Sequence, residues 1–388
     1  MSNTDHPSTQ LLERNLARIK QKLLLVNPVE LASIEKIMSV VPKDKLQVSC
    51  QEYSLYQAFI QKHIPGNFQT HYAGRTKFDQ AVVFLPKSDL EIEMTLAWVS
   101  GVLKSNGQVM LIGQNNAGIK SAKKTLEKLI GPVGYADAAR HSALYVAEKN
   151  VTHHSFTLEN WWKSYQVPLI TAAEGPHNRA LTVCTLPGVF SHGRLDEGTA
   201  LLLSTLTEKT RQGKKVLDWG CGGGVIGASL AAAHPDLTVT LADSSALALE
   251  SARGTIQANK LTNCQVTATN IYSELPELFH FIVANPPFHK GHDTSYDEVE
   301  LFLEQTVHHL REHGSARIVA NIFLKYESLL EKHFGYVKVL AKNNKYKVLE
   351  AVKIPKTPAG HKPARKDRPK RRNAETEEEL EVIEELEK

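Results

Sequence analysis

The sequence predicts an α/β protein built as two tandem Rossmann-like domains, the N-terminal one degenerate, followed by a disordered charged C-terminal tail. Three observations predict it. Apolar runs bounded by turn signals alternate with helical patterns over residues 1–353, the order of parallel strands joined by helical crossovers. The second half carries a glycine-rich strand-to-helix turn, and the first half repeats the end of that block about 200 residues earlier without such a turn. Residues 354–372 hold eight Lys/Arg against one Asp, and residues 373–388 hold eight Glu against one Lys. With Pro and Gly spread through its basic part, that composition stays solvated.

In the first half, DQAVVFLPKSD (79–89) parallels FIVANPPFHKG (281–291). Each is followed by a long helical pattern and a Gly-led strand, GQVMLIG (107–113) or GSARIVAN (314–321). A Lys/Leu-rich helix then leads to a strand pair ending in ALYVAEK or KVLEAVK. In the second half the expected order is strand 215–220, helix Val225–Ala233, strand 237–243, helix Ala246–Asn259, and strands 264–269 and 279–285. Helix Asp297–Glu312, strand 315–321, helix 325–333 and a hairpin turning on Asn343 and Asn344 complete it. A mainly parallel sheet closed by an antiparallel edge hairpin is a variant of the doubly wound fold. The expected domains are 1–150, a degenerate fold relative unable to hold the same ligand; 151–184, a linker; 185–353, the working domain; and 354–388, the tail.

Composition narrows the classes. The chain has 388 residues, 42% apolar and 23% charged, as in ordinary globular proteins. It has no run of 18 apolar residues, and its first residues lack a basic stretch followed by an apolar one, so a cytoplasmic protein without membrane contact is expected. The four cysteines form no C-x-x-C, which argues against a structural zinc and a disulfide framework. Of 46 basic and 42 acidic residues the tail takes nine of each, leaving 37 against 33, so the net +4 belongs to residues 1–353. A charge this small does not by itself single out nucleic acid.

Two motifs carry chemistry. In VLDWGCGGGVIG (216–227), Gly220, Gly222 and Gly224 let the chain turn sharply and bring backbone amides to a ligand at a helix N-terminus. Gly222, Gly224 and Gly227 also satisfy G-x-G-x-x-G, so a dinucleotide fits the spacing as well. Asp243, at the end of the next strand, suits two ribose hydroxyls. Asp218 would repel a pyrophosphate and suits an ammonium, directly or through water. The second motif is Asn285-Pro286-Pro287-Phe288 at a strand end. Two prolines remove amide donors and leave carbonyls plus the Asn285 side-chain oxygen as acceptors, a match for a planar exocyclic amine, on whose ring Phe288 can stack.

Together these motifs resemble class I S-adenosylmethionine-dependent amino-methyltransferases, most closely the ribosomal RNA guanine-N2 methyltransferases of the RsmC type. The resemblance spans about 1–353 and is strongest in TLPGVFSHGRLDEGTALLLSTL (185–206), VLDWGCGGGVIG, NPPFHKG (285–291) and RIVANIFLKY (317–326). It implies two tandem methyltransferase domains, the first inactive, and methyl transfer from S-adenosyl-L-methionine to a guanine 2-amino group in 16S rRNA of the small ribosomal subunit. A monomer is expected, although the sequence does not give the oligomeric state. By motif the resemblance assigns the cofactor to Asp218, Gly220, Gly222 and Asp243, with Asn270 near the adenine, and the base to Asn285, Pro286 and Phe288. Trp219 stands where smaller aliphatics are usual, and the tail lies outside the family pattern. Phe190, Arg194 and Asp196 precede a Leu-rich helix and read either as a lid over the site or as a connector capped by Asp196. His289 and His292, a single short His pair, are not expected to bind metal. Rival readings are a 23S rRNA guanine-N2 enzyme, a protein glutamine methyltransferase and a non-catalytic RNA-binding assembly factor. The LPGVFS…LDEG segment favours the small subunit over the first, and the intact glycines and NPPF oppose the last.

Overall fold

In a computed structural model, residues 5–151, 156–169, 180–206, 215–286, 293–334 and 336–354 are described. Phe288, His289, His292 and the tail beyond Ile354 lie outside them. The N-terminal half runs α1 (Pro7–Arg14), β1 (Leu23–Val26), α2 (Leu31–Met38), β2 (Leu46–Cys50), α3 (Tyr53–Gln61), β3 (Gly66–Phe68), β4 (Phe78–Phe84), α4 (Asp89–Val102), β5 (Leu103–Gln114), α5 (Ile119–Leu129), β6 (Val133–Ala139) and β7 (Ser142–Glu148). Strands β8 (Lys163–Pro168) and β9 (Ala180–Thr185) follow. The C-terminal half runs α6 (Glu197–Ser204), β10 (Lys215–Trp219), α7 (Val225–Ala233), β11 (Thr238–Asp243), α8 (Ala246–Ala258), β12 (Cys264–Ala268), β13 (Phe279–Ala284), α9 (Asp293–Thr306), β14 (Leu310–Asn321), α10 (Tyr326–Phe334), β15 (Val337–Lys342) and β16 (Tyr346–Val352).

Each half forms a seven-stranded sheet, and the two have the same order: β3-β2-β1-β4-β5-β7-β6 and β12-β11-β10-β13-β14-β16-β15. The first five strands of each sheet are parallel, and the last two close it as an antiparallel hairpin. The central strands carry continuous apolar runs, as strands covered on both faces do: Leu23–Val26 are all buried, as are Val216, Leu217 and Phe281–Ala284. The duplication extends to irregularities. Strands β5 and β14 are each 12 residues long with the same alternation of burial, and each carries a left-handed residue before its glycine, Asn106 (φ 60°) and His313 (φ 62°).

That shared irregularity corrects one expectation. The helix expected to reach Glu312 ends at Thr306, and Leu310 already pairs with Phe279 in the β13–β14 ladder. Arg311, Glu312 and His313 suit a helix by composition, but burying Leu310 beside β13 and kinking at His313–Gly314 pulls them into the strand. The segment between the halves is also structured where it is described. Strands β8 and β9 pair antiparallel, and Val167, Leu181 and Val183 are buried in the core of the C-terminal half. Helix α6 docks there through Leu202 and Leu203, with Leu201 partly buried beside them. No helix among the described residues is long and apolar enough to cross a membrane.

Candidate active site

Strand β10 lies between β11 on one side and β13 on the other, so the strand order reverses across it. The crevice at the carboxyl ends of such strands is where doubly wound sheets take ligands. Three chain segments meet there: the glycine turn after Trp219, Asp243 at the end of β11, and Asn285 one residue beyond β13.

The glycine turn needs its glycines. Gly220, Gly222 and Gly224 have φ of 65°, 53° and 78°, conformations that cost an L-residue roughly 1–2 kcal/mol each. A Cβ on Gly220 would meet nothing within 4 Å, and one on Gly222 would approach only Val189 at 3.9 Å, so the turn borders open space on its ligand side. A Cβ on Gly224 would strike Leu241 at 2.9 Å, which shows how closely α7 packs on β11. Gly224 is also the N-cap of α7 and offers no side chain to the first-turn amides.

Asp243 organises this turn. One of its carboxylate oxygens accepts the Gly222 N–H at 2.9 Å and the other the Ser245 N–H at 2.9 Å. Each oxygen keeps a second lone pair for a ribose hydroxyl. Asp218 lies beneath the turn, fully buried; its Oδ2 accepts the Gly227 N–H at 2.7 Å, while Oδ1 has no partner among the described residues. Burial pushes the Asp218 carboxyl up to about 7 and also raises that of Asp243. A buried carboxylate oxygen left unpaired is costly, and a cation above it would relieve that cost. Open space over left-handed glycines, a strand-end carboxylate and the orphaned Oδ1 fit S-adenosylmethionine.

Trp219 turns away from the crevice. Its ring stacks on Phe302 with centroids 3.8 Å apart, and its Nε1–H donates to the Ile271 carbonyl at 2.8 Å. The bulky residue therefore pins the loop after β12 that carries Asn270, whose N–H donates to Ser273 Oγ at 3.2 Å.

Asn285 is held in one orientation. Its Nδ2 donates to Thr199 Oγ1 at 2.8 Å and to Asp196 Oδ2 at 3.2 Å, and its Oδ1 is buried without a partner among the described residues. A carboxylate offers no proton, so the amide nitrogen must face Asp196, which fixes the oxygen on the opposite side of the amide. Asp196 has a double task, because the same Oδ2 accepts the Thr199 N–H and caps α6. Of the three residues read either as a lid or as a connector capped by Asp196, Asp196 caps α6 and holds Asn285, whereas Arg194 is exposed and Phe190 is 61% exposed. Pro286 is buried beside Asn285. Thr199 went unnoticed in the sequence; its only signal is its place three residues after the Asp196 cap.

Residues 180–350 match the family described as Methyltransferase small domain, and residues 9–165 match its N-terminal counterpart, Methyltransferase small domain N-terminal. Among curated relatives, Ribosomal RNA small subunit methyltransferase C of Psychromonas ingrahamii is 40% identical over 286 residues, covering 74% of this chain and 79% of that protein. The protein of the same name from Vibrio parahaemolyticus is 35% identical over 346 residues, covering 89% of this chain and 98% of its own length. The chain belongs to the ribosomal RNA small subunit methyltransferase C family. A solved structure from this family, the T. thermophilus 16S rRNA N2 G1207 methyltransferase in complex with AdoMet and guanosine, superposes with a TM-score of 0.77 at 25% identity. It covers 91% of this chain and 93% of that one. The tandem architecture of the two halves is therefore a property of the family, as the duplicated strand order indicates.

Proposed function

We infer that this chain transfers a methyl group from S-adenosyl-L-methionine to the exocyclic 2-amino group of a guanine in 16S rRNA, on the small ribosomal subunit. The observation that carries the reading is the Asn285 amide, tied through Nδ2 so that a buried Oδ1 is left as acceptor at the crevice. Family membership selects rRNA from among the substrates that carry such an amine.

The bound cofactor supplies an electrophilic sulfonium methyl. The protein's task is orientation. An aromatic amine is a poor nucleophile because its lone pair is delocalised into the ring. Hydrogen bonds to Asn285 Oδ1 and the Pro286 carbonyl draw its nitrogen toward tetrahedral geometry and aim the lone pair at the methyl. No strong base is needed, since the nitrogen becomes acidic once alkylated. The guanine must leave its stack to reach a pocket at the strand ends. We assign Asp218, Gly220, Gly222, Gly224, Asp243 and Asn270 to the cofactor and Asn285, Pro286 and Phe288 to the base. Residues 185–353 form the catalytic domain in this reading, 1–150 a supporting and RNA-binding domain, 151–184 the connection and 354–388 an appended tail.

Incubation with labelled S-adenosylmethionine and unmodified small subunits, large subunits or naked rRNA tests the assignment. Label should enter 2-methylguanine of 16S rRNA in the small subunit; label in 23S rRNA or in protein would overturn it.

Two further outcomes are expected. Thr199→Val removes one of the two acceptors that hold Asn285, so turnover should fall roughly tenfold with cofactor affinity unchanged, and Thr199→Ser should restore it. The second concerns pH. With its carboxyl raised to about 7 by burial, Asp218 is protonated below neutrality and then no longer attracts the cofactor's ammonium. Cofactor affinity should therefore weaken as pH falls through 7, by up to about tenfold per unit, with proton release on binding. Calorimetry at pH 6 and 8 in two buffers reads both, and an affinity flat across that range would take Asp218 out of the site.

A further inference from the structure

The two halves meet through equivalent loops. In the N-terminal half, β2 ends at Cys50, Glu52 is the N-cap of α3, and Tyr53 is its first residue. In the C-terminal half, β11 ends at Asp243, Ser245 is the N-cap of α8, and Ala246 is its first residue. Gln51–Tyr53 and Ser244–Ala246 thus occupy the same place in the two copies of the fold. They pair with each other. Glu52 and Ser245 form an antiparallel bridge, the Tyr53 N–H donates to the Ser244 carbonyl at 2.9 Å, and the Ala246 N–H donates to the Gln51 carbonyl at 2.9 Å. Exchanging the halves maps one hydrogen bond onto the other, as at the axis of a two-fold dimer.

This bridge lies on the loop that carries Asp243. Ser244 follows Asp243 directly, and the Ser245 N–H donates to the Asp243 carboxylate. The bridge has supports on both flanks. Gln51 is fixed by Asn27 Nδ2, which donates to Oε1 at 3.0 Å, and by its own Nε2 donating to the Thr70 carbonyl at 2.9 Å. On the far side, Gln57 Nε2 donates to Glu274 Oε1 at 2.8 Å, four residues beyond Asn270. On the near side, Met94 of α4 is buried with Leu186, Val189 and Leu247.

We propose that the main chain of Gln51–Tyr53 is a working part of the cofactor site. It clamps the Asp243–Ala246 loop, so that cofactor affinity depends on docking of the degenerate half. The proposal rests on the reading that Asp243 takes the cofactor ribose. These are positioning residues, for they reach the ligand only through Asp243.

A proline can test a main-chain hydrogen bond here. Tyr53 is the first helical residue, where proline is accepted, and Glu52 is extended (φ −106°, ψ 122°), as a residue before proline must be. Tyr53→Pro therefore deletes the N–H that holds Ser244, whereas Tyr53→Ala deletes the ring and keeps the N–H. In the full-length protein, S-adenosylhomocysteine should bind about tenfold more weakly to Tyr53→Pro than to Tyr53→Ala, and the Ala246 amide should exchange faster by a similar factor. Gln51→Ala, which leaves α3 untouched, should weaken binding about threefold relative to wild type. Equal affinities in the two Tyr53 variants overturn the clamp, as does wild-type affinity in Gln51→Ala should the proline variant fail to fold. A wild-type protein that does not bind S-adenosylhomocysteine would instead sink the cofactor reading, and the clamp with it.

Discussion

Asn285→Ala is expected to reduce 2-methylguanine formation to background, a loss of about 10^3-fold in turnover, while S-adenosylhomocysteine binds as before. The substitution removes the buried Oδ1 and leaves Asp196 and Thr199 without the amide they hold. It touches no atom of the glycine turn or of Asp243. Asn285→Asp separates the presence of an acceptor from its orientation: it keeps Oδ1 but replaces the donor Nδ2 with a second oxygen, setting a carboxylate about 3 Å from that of Asp196, where like charges repel. The same loss is expected in that variant at pH 8. Calorimetric binding beside mass-spectrometric detection of the modified nucleoside reads both quantities. Transfer retained in Asn285→Ala would remove the acceptor pair from the mechanism.

The second large effect is expected at Asp243. Asp243→Asn keeps the size of the side chain, but an amide has one acceptor oxygen, and two backbone N–H groups converge on the carboxylate from Gly222 and Ser245. One of them would then face an NH2 group. Hydrogen bonds to a charged acceptor contribute about 1.5–3 kcal/mol each, so the glycine turn loosens and the ribose loses its partner together. S-adenosylhomocysteine should bind about 100-fold more weakly, corresponding to the loss of about 2.7 kcal/mol. An affinity within about threefold of wild type would place the ribose elsewhere.

Much of this site is legible residue by residue. Gly220, Gly222 and Gly224 all adopt positive φ, a demand that glycine meets more readily than any other residue and that the alternating spacing announces. The hairpin on Asn343 is legible for a similar reason, since its Oδ1 accepts the Lys345 and Tyr346 N–H groups. The β14 kink is not, because Arg311-Glu312-His313 carries a helix-compatible composition and only pairing with β13 overrides it. Trp219 shows in sequence as an unusual residue beside the glycines, but which way its ring turns is settled by Phe302 and the Ile271 carbonyl. Likewise, the sequence offers Asn285 as an acceptor without saying which amide atom is tied within the protein. That follows from Asp196 and Thr199, 89 and 86 residues away.

What the sequence by itself determined is whatever depends on one residue's own stereochemistry or on short spacing: the alternating glycines, the strand-end Asp243 and Asn285, the repeated order of strands and helices, and the family they resemble. What only the tertiary structure decided is which atoms of those residues are left for a ligand. Among the described residues Asp218 Oδ1 and Asn285 Oδ1 have no partner, while Asn285 Nδ2 is held by groups far along the chain and Asp218 Oδ2 by the Gly227 N–H packed against it. The contact between the halves belongs to the same class. It is made by main-chain N–H and C=O groups, which nearly every residue carries, so no side-chain pattern in the sequence could have encoded it.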